Sequence, residues 1–324
     1  MAVRDLGRRR LPAGPPMMLG EEGWALWRGD SHATPFQSPA WLNAWAAHLS
    51  GQEIYVAEVP GRALLPLFLW DDKGTRKLVP AGAGHSDYCD MVGDPDAVPA
   101  LLDAIAALPV AWDALVLPDL RPDSPLLRPP PPGWAAEDAP HEICPVLALP
   151  PGKPLRELLS KTQRRKLAHD RHRADDLQDL SVSLATPEDV PEAVEAMFAL
   201  HTAQWNAAGE PGMLADPRVR AFHRAAAPAL AEADLLRMAV VREAGRIVAV
   251  LLGFRDATRF HSYIGGVDMS VPRQSFGTLA FACLIEAAIA EGAREFHFLR
   301  GEEPYKYSWG ARPMRTVRRT LGRI

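Results

Sequence analysis

The stretch "FGTLAFACLIEAAIAEG" (residues 276–292), followed at once by "AREFHFLR" (293–300), decides how the chain is read. Between Leu279 and Ala290 the only charge is Glu286. A run this long and this apolar is a helix that must be covered on every side. It is shorter than the ~20 residues a membrane span needs. Before it, "TRFHSYIGGVD" (258–268) reads as a strand, and "REFHFLR" after it reads as another. A helix joining two strands of one sheet is a crossover, so these two strands are expected side by side and parallel.

Working outward, "DLSVSLAT" (179–186) alternates as a strand does. Thr186-Pro187-Glu188-Asp189 is a helix start, with proline at the first position and acids in the first turn. Val190, Val194, Met197, Phe198, His201 and Trp205 then recur at helical spacing as one buried face. A second helix is expected from about Asp216 to Ala231. "LRMAVVREA" (236–244) and "GRIVAVLLGFRD" (245–256) are strands joined by a turn at Gly245. After the apolar helix and its strand come a short helical turn, "EPYKYSW" (303–309), and a last strand, "MRTVRRTLGRI" (314–324). The class is α/β, with α+β character in a mixed sheet.

The first half is mixed as well. "SPAWLNAWAAHL" (38–49) is a helix with Ser38 as cap and Pro39 at its first position. "EIYVAEV" and "RALLPLFLW" form a hairpin about Pro60-Gly61. There follow a glycine-rich loop "PAGAGHSDYCD" (80–90), a helix over 95–108, the strand "DALVL", a stiff "LRPPPPGW" loop and the strand "ICPVLAL". "KPLRELLSKTQRRKLAHDRHRADDL" (153–177) reads as one basic helix with a sparse stripe of Leu155, Leu158, Leu159 and Leu167. The expected organisation is a flexible leader over 1–20, a domain over 21–150, the basic connecting helix over 151–179 and a second domain over 180–324.

At 324 residues, 48% hydrophobic and 23% charged, the chain has the composition of a packed globular protein of about two domains. A net charge of −4 gives no global reason to expect nucleic acid or a membrane surface. Cys89, Cys144 and Cys283 are odd in number and far apart, which argues against a disulfide framework and a thiolate zinc site and fits a reducing cytoplasm. The basic, proline-rich opening lacks the apolar core of a signal peptide.

"TPFQSPAWLNAWAAHL", "GAGHSDYCD", the helix around "KTQRRKL" and above all "FHFLRGEEPYKYSWGA" resemble the BioF2-like acyltransferases. That family is related to a protein of cellulose biosynthesis and is distant kin of the FemABX peptidyltransferases. The element order is similar to the GNAT acetyltransferase fold. The resemblance spans nearly all of the chain after residue 20, and implies two tandem GNAT-like halves with acetyl-CoA or another acyl-CoA bound in the second.

An acyl-CoA site needs backbone N–H groups at a helix start for the pyrophosphate, a gap between parallel strands for the pantetheine, and groups that polarise the thioester and protonate the thiolate. Carried onto this chain, the first maps to Arg273, Gln274, Ser275, Gly277 and Thr278. Leu279 stands where the family's phosphate loop has a small residue, which departs from the pattern. The second maps to Ile264, Gly265, Gly266 and Val267, where paired glycines would permit a bulge and splaying, or simply a turn.

The third maps to the turn after "REFHFLR". Tyr305, with Tyr307 as the alternative, has a hydroxyl suited to protonating the thiolate; Lys306 suits a developing negative charge, and Glu303 or Glu302 suits a base. Packing is the competing reading for each. His85, Asp87 and Tyr88 of the glycine-rich loop, together with Gln204, Trp205 and Arg300, are the candidate acceptor contacts. A metal at His85, Asp87, Cys89 and Asp90 matches no established spacing, so none is expected. His261 and His297 read as core histidines.

The resemblance therefore implies an acyl-CoA-dependent N-acyltransferase, most simply an acetyltransferase, acting on an amine of a sugar or cell-envelope precursor. An aminoacyl-tRNA-dependent transferase is the alternative, and a fold that has lost its CoA site is a third. The basic helix lacks the interleaved aromatics of an RNA surface, so the expected partner is a small-molecule amine and not nucleic acid.

Overall fold

The computed structural model describes residues 19–175, 177, 179–270 and 275–324. In chain order the elements are α1 (Glu21–Gly29), α2 (Pro39–His48), β1 (Ile54–Val59), β2 (Ala63–Asp72), β3 (Thr75–Pro80), β4 (Val92–Gly93), α3 (Val98–Ala106), β5 (Ala114–Leu120), β6 (Trp134–Ala148), α4 (Leu155–Leu158) and α5 (Lys161–Asp175). They continue with β7 (Leu180–Leu184), α6 (Val190–Ala207), α7 (Pro217–Glu232), β8 (Leu236–Glu243), β9 (Arg246–Arg255), β10 (Arg259–Val267), α8 (Phe276–Ala290), β11 (Glu295–His297), α9 (Pro304–Ser308) and β12 (Arg312–Arg323). The described residues fall into two compact units, one of 19–142 with 315–324 and one lying within 143–314.

In the first unit the strand order is β1-β2-β3-β5-β12-β6, with the short β4 on β2. The expected hairpin forms with Val59 opposite Ala63, and β3 lies parallel to β5. α3 turns Leu101, Leu102 and Ile105 into a core shared with Leu65, Leu67, Leu78, Leu115, Leu117 and Leu321. Ser38 caps α2, its hydroxyl accepting from the Trp41 N–H. β12 is tied down by Arg319, which pairs with Asp138 at 2.6 Å and donates to the carbonyls of Leu126 (2.8 Å) and Arg128 (2.7 Å).

In the second unit the order is β6-β11-β10-β9-β8-β7. β10 and β11 are parallel neighbours and α8 is the crossover between them, as the opening stretch requires. Leu279, Ala280, Ala282, Leu284, Ile285 and Ala288 of α8 are buried with Phe260, Phe296, Leu251 and Trp309. Burying such side chains contributes about 1.5–3 kcal/mol for each large residue, so this helix is the centre of the unit's stability.

The region read as a single basic helix is two, α4 and α5, broken at Leu159-Ser160. Leu159 leaves the helix in an extended conformation, and Ser160 accepts the Gln163 N–H at 3.2 Å to start α5. β6 begins nine residues before the apolar "ICPVLAL" that announced it, in an exposed stretch containing Pro140. No helix of the described residues is long and apolar enough to cross a membrane.

Candidate active site

The two parallel strands pair over only three residues, Arg259 with Glu295, Phe260 with Phe296 and His261 with His297, and then part. β10 runs on to Val267, while the chain beyond β11 turns to β6, Phe298 N donating to Pro145 O at 2.9 Å and Gly301 N to Ile143 O at 3.0 Å. Leu299 makes the departure at φ 58°, left-handed backbone that an L-residue adopts only when its surroundings impose it. On its other edge β10 slips register against β9 between Ser262 and Ile264, which makes Tyr263 a bulge. Fork and bulge fall within two residues of each other.

The glycine pair serves another purpose than the expected bulge. A Cβ on Gly266 would lie 2.5 Å from the His201 N and 2.7 Å from the Leu200 Cβ, so its bare backbone is what lets α6 cross β10. One on Gly265 would meet the Val250 carbonyl at 2.7 Å. Ile264 is buried and Val267 half-buried on the same diverging end of β10.

The throat of the fork is polar. The His261 Nε2 lies 2.9 Å from the Asp256 Oδ2, which also accepts from the Arg259 Nε at 2.8 Å. The His297 Nε2 lies 2.9 Å from the Glu295 Oε2. All but Glu295 are buried.

Beyond the fork, "LRGEEPYKYSW" folds into a locked turn. The Lys306 ammonium is buried and donates to Leu299 O (3.2 Å), to Arg300 O and to Gly301 O (3.2 Å), while Glu303 pairs with it at 2.9 Å. Three successive carbonyls on one ammonium fix the path of the chain between β11 and α9. Glu303 directly precedes α9 and is exposed, as is Glu302, whose carboxylate accepts from the Tyr307 hydroxyl at 3.4 Å.

Tyr305 lies with its ring 5.3 Å from Phe281 of α8, which stacks in turn on Phe298 (5.7 Å) and Trp309 (6.3 Å). Its residue stays 46% exposed, so desolvation acts on it only in part; burial, then the charge of Glu303, raise its phenol above the ordinary tyrosine value. The hydroxyl is therefore protonated at neutral pH.

The start of α8 is where the sequence places the phosphate end of an acyl-CoA. Ser275 precedes this 15-residue helix without capping it through its side chain, and the N–H groups of a first helical turn are the kind of donors that hold an anion. A Cβ on Gly277 would crowd Val267 at 3.2 Å, so the glycine brings the helix start close to the end of β10. Thr278 accepts from the Lys166 Nζ at 2.9 Å, which sets a cation from α5 beside the same turn; sequence reading gave Lys166 no place there because the pairing is 112 residues distant. Arg273 and Gln274 lie outside the described residues.

Gln204 is exposed near the end of α6, and Trp205 is half-buried with its ring 5.8 Å from His201. Arg300 is half-buried in the locked turn. The glycine-rich loop belongs to the first unit, where α2 and the residues before it hold it. Trp41 Nε1 donates to the Ser86 Oγ (2.9 Å), Trp45 Nε1 to the His85 Nδ1 (3.4 Å) and Gln37 Nε2 to Tyr88 O (2.7 Å). Asp87 and Tyr88 are buried, and Tyr88 packs edge-on to Phe36 under the Arg121 guanidinium. His85 is half-buried. Among the described residues no group of three or more His, Cys, Asp or Glu could hold a metal ion.

Residues 161–307 match the family model described as an acetyltransferase (GNAT) domain. The crystal structure of FemX is similar over 94% of this chain and 96% of its own, at TM-score 0.62 and 11% identity. A conserved protein of unknown function from Bacteroides thetaiotaomicron VPI-5482 is similar over 95% and 99%, at 0.61 and 14%. The C-terminal domain of a putative lysylphosphatidylglycerol synthetase from Agrobacterium fabrum is similar over 93% and 90%, at 0.57 and 13%. No curated protein sequence matches the chain. The fold is thus of the GNAT type and distantly FemABX-like.

Proposed function

We propose, from a chain whose residues 161–307 carry a GNAT acetyltransferase domain, that this protein is an acyl-CoA-dependent N-acyltransferase. Its acceptor is an amine of a small molecule, read here as a sugar or cell-envelope precursor. The observation that carries the reading is the fork: β10 and β11 part after three residues, with a bulge beside the parting and a tyrosine on the turn that follows. Such a gap gives a pantetheine arm a strand edge to bond, and the uncapped start of α8 with Lys166 beside it gives the phosphates a positive site.

Acyl-CoA supplies an activated thioester. The acceptor nitrogen bonds to the acyl carbon, the carbon–sulfur bond breaks, and the sulfur needs a proton. In this reading the Tyr305 hydroxyl gives it, and the proton lost by the amine returns through water or Glu303. Lys306 suits the stabilising of negative charge by residue type; its contacts favour a different part, that of holding the turn which carries Tyr305.

The likeness to FemX favours aminoacyl transfer as the second reading. Against it, α5 carries no interleaved Phe, Tyr or Trp on which RNA bases could stack, and Arg171 is engaged with Glu286 at 2.6 Å. Titration with acetyl-CoA while melting is followed separates the two. A binder gains about 2.7 kcal/mol at a hundredfold excess over Kd. Thiol release on adding a panel of amino sugars then tests turnover. Salt-sensitive binding of tRNA without any response to CoA esters would select the second reading instead.

A further inference from the structure

β7 is the last strand of its unit's sheet, and beyond its pairing with β8 it has no strand neighbour among the described residues. Its sequence is Leu180-Ser181-Val182-Ser183-Leu184, which reads the same in both directions. Ser181, Val182 and Ser183 are all exposed, Val182 at 37%. An edge strand leaves a row of N–H and C=O groups open to another strand, and proteins commonly guard such edges with charge, proline or a bulge. None of these occurs between Leu180 and Leu184.

On the face of β7 toward α8 lies a groove of about 690 Å³, lined by Leu177, Leu180, Val182, Leu279 and Cys283 and rimmed by Arg171, Asp175 and Glu286. We propose that this edge is a docking surface for a second copy of this chain. The two β7 strands would pair antiparallel about a two-fold axis midway between the two copies of Val182.

The palindrome carries the choice of partner. In an antiparallel pair centred on Val182, Val182 meets its own copy, Ser181 meets Ser183 and Leu180 meets Leu184, so apolar residues oppose apolar ones and hydroxyls oppose hydroxyls. A two-fold interface requires this self-complementarity, and an unrelated strand would meet it only by chance. The same operation keeps like faces of the two sheets together and lays the two grooves side by side. Charge agrees. The five residues bear none, and the rim carries both signs, so no block of like charge opposes a second copy.

Light scattering on the full chain, with the Val182→Lys and Val182→Cys variants, tests this. The expected mass is twice 35.4 kDa for the wild type and 35.4 kDa for Val182→Lys, whose two ammonium groups would oppose each other across the axis. Val182→Cys should give a covalent dimer on mild oxidation, because residues directly opposite in an antiparallel pair have Cα atoms about 4.5–5.5 Å apart, within disulfide range. Val56→Cys, equally exposed at 37% but on β1, is the control and should form no covalent dimer under the same oxidation, nor should the wild type with its own Cys283. A monomeric wild type at its highest soluble concentration overturns the proposal. So does a dimer that survives Val182→Lys, or one in which Val182→Cys does not cross-link.

Discussion

His261 and His297 face each other across the last paired rung of the two parallel strands, with ring centroids 5.0 Å apart. Each imidazole is held by a carboxylate, Asp256 for the first and Glu295 for the second. The fork therefore opens from a fixed point. On one side β10 continues against β9, and on the other the chain follows β6, so the separation is built into the hydrogen bonding of the sheet.

Replacing Tyr305 with phenylalanine removes the proton and keeps the ring on Phe281. Turnover with an accepted amine should fall about 10²–10⁴-fold, the usual worth of a positioned acid, while affinity for acetyl-CoA stays. Tyr307→Phe should leave turnover near that of the wild type. Equal effects from the two variants would remove Tyr305 from the chemistry.

Lys306→Met keeps the length of the side chain and leaves the Leu299, Arg300 and Gly301 carbonyls without their donor. Each unsatisfied buried acceptor costs roughly 1–3 kcal/mol, so denaturant unfolding should show a loss of at least that order. Turnover should drop with it, since Tyr305 is the neighbouring residue. Unchanged stability would show that water replaces the ammonium and that the turn does not depend on it.

Gly266→Ala places a methyl 2.5 Å from the backbone nitrogen of His201, where no flexible atom can yield. Overpacking of this kind costs about 1–3 kcal/mol. Gly29→Ala, at the end of α1 with nothing within 4 Å, should be neutral or slightly stabilising. Thermal melts of the two variants provide the comparison.

Asp90 lies in the first unit where burial raises its carboxyl to about 7, against the opposing pull of Ser124, the Met91 N–H and Arg121. The native state then keeps a proton that the unfolded chain gives up near 3.8. Between those two values the folded protein binds one proton more, so this residue makes stability fall as pH rises from about 4 to about 7 and adds no further change above that. Asp90→Asn should therefore gain on the wild type at pH 8 relative to pH 4.5. The gain is on the order of a few kcal/mol, because each tenfold change in proton affinity is worth about 1.4 kcal/mol. Urea midpoints at the two pH values measure it, and a constant difference would refute it.

Much of this architecture can be read from residue order. An apolar helix flanked by strands forces a parallel pair, and Ser38-Pro39 marks a helix start without any tertiary knowledge. What escapes is decided by distant contacts. The bulge sits at Tyr263, not at the glycines, because Gly265 and Gly266 are spent on close packing against β9 and α6, which no local pattern announces. After the buried Trp134, residues 135–140 of β6 are all exposed and include a proline, so nothing in their periodicity marks a strand. Lys306 reads as a catalytic cation until its three carbonyl partners are seen. Lys166 reads as a solvated charge until Thr278 appears beside it.

Amide hydrogen exchange with and without saturating acetyl-CoA tests the fork most directly. Slower exchange over Ile264–Val267 and over the first turn of α8, with the rest of the second unit little changed, is the result expected if the thioester arm lies between the parted strands. Unaltered exchange in both segments, under conditions where the nucleotide demonstrably binds, would contradict it.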